Sequence, residues 1–145
     1  MRFKKRENMQ LKKVLVICCV GALFIASACK RETKDEKFRR EFQQFTQKEC
    51  PKEMDPYTRM DSICYDIETR TLTEYYTVRD TLDHEDIYTE ELVNNFHDEI
   101  LKGLKSSIHF KQYKDEGITF RYDYRSITSG KLLLRLTYTK EDYGK

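Results

Sequence analysis

Ile118-Thr119-Phe120-Arg121-Tyr122-Asp123-Tyr124-Arg125 is the run on which the fold turns. Ile118, Phe120, Tyr122 and Tyr124 take one side, and Thr119, Arg121, Asp123 and Arg125 take the other. That is the period-two alternation of a strand with one apolar and one polar face. Ser129-Gly130 supplies turn chemistry, and Leu132, Leu134, Leu136 and Tyr138 repeat the apolar spacing on the way back. The stretch reads as a hairpin with one side against a core.

A second hairpin is expected upstream. Arg59 to Ile67 and Thr71 to Val78 are rich in Thr, Tyr, Ile and Val, with Glu68-Thr69-Arg70 as a short connection. In the later run, Leu72, Tyr76 and Val78 share a face with Glu74, while Thr71, Thr73, Tyr75 and Thr77 share the other. Each hairpin follows an apolar helical pattern. Phe38, Phe42 and Phe45 recur at i, i+4 and i+7, and Pro51 stops that helix near Glu49. Met54-Asp55-Pro56-Tyr57-Thr58 then reads as a turn. Leu92, Val93, Phe96, Ile100, Leu101 and Leu104 mark a longer helix, with Thr89 as N-cap and Glu90 and Glu91 at its positive end. The order α-β-β-α-β-β predicts a two-layer α+β domain, two helices on one face of a four-stranded antiparallel sheet.

The N-terminus carries an address. Arg2, Lys4, Lys5, Arg6, Lys12 and Lys13 lead into the apolar run from Val14 to Ile25, then Ala26-Ser27-Ala28 and Cys29. A basic region, a short apolar core and small residues make a secretory signal. The apolar core is well short of the roughly 20 residues of a membrane-crossing helix. A cysteine directly after the small residues resembles a lipoprotein lipobox, with Ala26 where most have Leu. The resemblance implies cleavage after Ala28 and an acyl chain on Cys29, holding the chain at a bilayer. An ordinary signal cut at the same place is the alternative, and Met9 offers a second start. The expected organisation is a signal over 1–28, a charged tether over 29–37, and one domain over 38–145.

Removal of the signal reverses the charge. The whole chain has 27 basic and 25 acidic residues. The first 28 residues hold six basic and one acidic, so the remainder has 21 against 24, a net charge of −3. No basic stripe remains for a nucleic acid.

Few residues point to chemistry. Outside the signal and Cys29, the cysteines are Cys50 and Cys64. An even pair in an exported protein favours a disulfide, worth about 3 kcal/mol for a loop of roughly 15 residues. Strand alternation opposes it, because Cys64 lies opposite in phase to Ile63 and Tyr65. His84, His97 and His109 stand too far apart for a metal motif, and no glycine-rich phosphate loop occurs. Asp55, Asp61, Asp83 and Asp86 fit turns and caps better than acid–base pairs. No catalytic, cofactor or metal residue is assigned. One surface is suggestive: Thr73, Tyr75, Thr77, Arg121, Arg125, Arg135 and Thr137 would line the side of the sheet away from the apolar faces. Left uncovered, such a polar-aromatic face suits a protein or glycan partner.

Cys50-Pro51, Asp55, Thr58-Arg59-Met60-Asp61-Ser62, Leu72 with Tyr75-Tyr76-Thr77, and the late Asp142-Tyr143 resemble a pattern in small exported bacterial proteins of unknown function. That resemblance implies no activity and no site. The expectation is a lipoprotein of the Gram-negative cell envelope, facing the periplasm or the exterior, without catalysis. It would act as a binding or assembly module for an envelope protein or a glycan. An inhibitor or immunity-type protein for a secreted enzyme is the alternative, and a hydrolase using loop carboxylates is a weaker one.

Overall fold

The computed structural model describes residues 31–144, so the signal, Cys29 and its expected acylation lie outside the described residues. A compact unit begins at Thr33. Helix α1 (Lys34–Glu49) opens on a reciprocal cap: Glu36 N donates to Thr33 Oγ1 at 3.2 Å, and Thr33 N donates to Glu36 Oε2 at 2.8 Å. Residues 34–37, expected to be tether, are therefore helical. Their charges hide the apolar period, but the cap satisfies the free N–H groups of a first turn. At the other end Cys50 is extended, as the ring of Pro51 requires.

Strands β1 (Lys52–Asp55), β2 (Thr58–Asp66), β3 (Thr71–Val78), β4 (Thr119–Ser126) and β5 (Leu132–Tyr138) form one sheet in the spatial order β1-β2-β3-β4-β5. The four-stranded antiparallel expectation needs two corrections. First, β1 is an added edge strand antiparallel to β2, ending in a turn where Tyr57 N donates to Asp55 Oδ1 at 2.7 Å. All four of its residues are exposed, so it has no apolar alternation to betray it. Second, the two hairpins meet through a parallel pair, with Thr71 opposite Thr119 and Val78 opposite Ser126. A parallel join needs a long crossover, which residues 79–118 supply. Helix α2 (Glu90–Ser106) makes the return, since 17 residues rise about 25 Å. Its N-cap is Thr89, as expected.

Two short helices, α3 (Lys111–Asp115) and α4 (Lys140–Tyr143), raise the count among the described residues from the two expected to four. All pack on the same side of the sheet. Phe38 and Phe42 of α1 meet Tyr113 of α3 at centroid distances of 4.7 and 4.8 Å, and both rings also meet Tyr65 of β2. Tyr138 of β5 donates its hydroxyl to the His97 carbonyl of α2 at 3.0 Å, and Tyr143 of α4 donates to the Ile118 carbonyl at 2.7 Å. These tyrosines bury their rings while satisfying their polar ends. Leu72, Ile118, Phe120 and Tyr138 are almost wholly sealed at the centre. Among the described residues no helix is long and apolar enough to cross a membrane.

Candidate binding groove

Helix α1 packs on β2, whereas α2 packs on β5 and α4. Between the two long helices a cavity of about 850 Å³ opens over sheet residues that are themselves largely buried. Phe42 and Phe45 of α1 form one wall. Ile100, Gly103, Leu104 and Ser107 form the other, at the i, i+3, i+4, i+7 spacing of one helix face. Within the apolar stripe of α2 only Leu104 is fully buried; Val93, Phe96, Ile100 and Leu101 are half-covered. Gly103 notches this wall, and a Cβ built there would meet nothing within 4 Å. Met54 of β1 stands on the rim 49% exposed, and Ile108, beside the rim residue His109, is 85% exposed.

The floor holds Met60, Ile63, Tyr76 and Tyr122, with one carboxylate among them. Glu74 is 4% exposed, flanked across the sheet by Ile63 on β2 and Tyr122 on β4. Its Oε2 accepts a short hydrogen bond from the Tyr76 hydroxyl. Burial pushes the Glu74 carboxyl up to about 7, against the downward pull of that bond. Burial, followed by the nearby carboxylate, raises the Tyr76 and Tyr122 hydroxyls well above the usual phenol range. Neither Glu74 Oε1 nor the Tyr122 hydroxyl has a hydrogen-bond partner among the described residues, and neither is a sealed-off orphan. Mostly apolar walls around a few convergent polar groups are the usual make-up of a binding cavity.

The predicted surface is assembled on the opposite side of the sheet. Thr73 pairs with Arg121, Thr77 with Arg125, and Asp123 with Arg135, while Tyr75 lies opposite Asp123. The described helices all pack on the other side. Much of its charge is matched internally: Arg135 donates Nε and Nη2 to the two oxygens of Asp123 at 2.7 Å each, and Asp123 is 1% exposed. Arg59 Nε donates to Asp61 Oδ1 at 2.7 Å, and Asp61 also accepts from the Thr77 hydroxyl. The face is built more to hold itself together than to offer free charge.

Cys50 and Cys64 are both free. Cys50 is half-buried against the core, where burial raises its thiol pKa, and Cys64 is exposed on the outer face. Cys64 lies on the side of β2 that alternation gives it, away from Ile63 and Tyr65. Among the described residues no three His, Cys, Asp or Glu side chains gather into a metal-holding group. Sequence reasoning passed over Glu74 and the groove. A signal was present, because Glu74 shares the apolar face of its strand with Leu72, Tyr76 and Val78.

The chain belongs to a family described as a domain of unknown function, DUF8479, whose model matches residues 33–134. No curated protein matches the sequence. Among solved structures the fold is similar to that of a secreted protein, PA3611, from Pseudomonas aeruginosa. That match has a TM-score of 0.60 at 11% identity and covers 76% of this chain and 96% of that one. It is also similar to the type II secretion system pilotin AspS from Vibrio cholerae, with a TM-score of 0.53 at 17% identity over 74% and 90% of the two chains. The type II secretion pilotin EpsS from Vibrio vulnificus gives 0.56 at 10% identity over 75% and 90%. At these identities the likeness is one of fold.

Proposed function

We propose that the chain is a lipid-anchored protein of the Gram-negative envelope, tethered through Cys29, that works as a non-catalytic binding or assembly module. Its partner is an amphipathic helix of another envelope protein, received in the groove between α1 and α2. The observation that carries the reading is the apolar groove with a half-covered helix face and a glycine notch in one wall. Apolar surface continues onto the rim at Met54, where water is the alternative to a partner. A helix laid into such a groove buries its apolar side, and a glycine lets its backbone come close. The pilotin neighbours lend the assembly role support, since they are components of a secretion system by name.

A steric plug tests the reading. Gly103→Trp sets an indole into the notch at a position where an added Cβ meets nothing within 4 Å. The acylated wild-type chain, recovered from envelope membranes, should retain a protein that Gly103→Trp loses and that Arg125→Glu, on the outer face, keeps. Retention by the plugged variant together with loss from Arg125→Glu would move the binding site to the outer face and overturn the groove.

A further inference from the structure

The groove floor has a feature that apolar docking alone leaves without a use. A carboxylate in an apolar setting is costly unless it is paired. Glu74 is paired through one oxygen only, to the Tyr76 hydroxyl. Its other oxygen has no partner among the described residues, and Glu74 lines the groove together with Tyr122, its register partner across the β3–β4 pair, whose hydroxyl is also unpartnered. A leucine or methionine here would give a better apolar floor. We propose that the groove takes a partner segment carrying a lysine, whose side chain enters aliphatic stem first and sets its ammonium between Glu74 Oε1 and the Tyr122 hydroxyl. The inference rests on the groove being the docking site and names the chemistry that site selects.

Lysine fits better than arginine. A guanidinium fork needs both carboxylate oxygens, and Tyr76 already holds Oε2. An ammonium is a compact charge with three donors, able to serve Oε1 and a phenol oxygen together. The route inward suits its stem, which would pass Phe42, Phe45 and Met60. Aromatic rings beside the path add cation–π attraction. The rim carries the opposite charges of Glu41 and Lys52 beside His109, so the selectivity sits on the floor.

Side-chain analogues test this on the full chain carried in nanodiscs, read through the methyl signals of Met54, Met60 and Ile63 in nuclear magnetic resonance spectra. The probes are n-butylammonium for lysine, n-propylguanidinium for arginine, and n-butanol as the uncharged control. The expected order is n-butylammonium tightest, with n-butanol weaker by about ten- to hundredfold, the worth of one hydrogen bond to a charged group. Glu74→Gln, which keeps shape and removes charge, should erase the difference. Tyr122→Phe should reduce it. A preference for ammonium that survives Glu74→Gln overturns the inference. So does n-butanol shifting the groove methyls as well as n-butylammonium does, a result that leaves groove docking standing. Should no probe move those methyls in a protein whose spectrum is that of the folded chain, the groove reading itself fails.

Discussion

Glu74 sits where a strand's apolar face should be continuous, and its consequences can be measured without knowing the partner. Burial raises its carboxyl from the ordinary value of 4.5 to about 7, so folding favours the protonated form. Between those limits the native state holds a proton that the unfolded chain has released, and stability must fall as pH rises through the window. The contribution is intact below about 4.5 and gone above about 7. At 1.36 kcal/mol per unit, the swing is about 3 kcal/mol. Urea denaturation should show Glu74→Gln more stable than the wild type at pH 8 and nearly equal to it at pH 5. Equal stabilities at both would mean that Glu74 is well solvated. At this scale the sequence was half legible. Alternation put Glu74 on the core side and Cys64 on the outer side, but periodicity cannot say that two helices part above one residue.

Elements with a strong apolar period were readable, and those without one were not. Both hairpins, the end of α1 before Pro51 and the Thr89 cap of α2 follow from local chemistry alone. Strand β1 is exposed at every position, and α3 and α4 are too short to show a period. The parallel β3–β4 pair was out of reach for a different reason. A hairpin's pattern shows which face is buried and leaves open which edge meets its neighbour. Element α2 carries its own test. Gly103 faces open space without a positive φ, so Gly103→Ala should stabilise the helix by up to about 1 kcal/mol and raise the urea midpoint. A loss of stability would show that the notch is closely packed.

For the whole molecule, the layers explain why one side can bind while the other holds the fold. Among the described residues four helices pack on the apolar face and leave a groove between α1 and α2, while the reverse face pairs Arg59 with Asp61 and Arg135 with Asp123. The address read from residues 1–29 lies outside the described residues and needs its own experiment. Labelled palmitate should enter the wild-type chain and not Cys29→Ala; equal labelling would remove the anchor from the account. The partner was not legible, because a groove arises only when distant segments pack. The most direct measurement places a photoreactive amino acid at Met54 on the groove rim, and separately at Arg125 on the outer face, in intact cells. A discrete adduct with one envelope protein from Met54, absent from Arg125 and lost when Gly103→Trp is added, is the predicted result. Adducts from Arg125 alone would contradict the groove as the docking site.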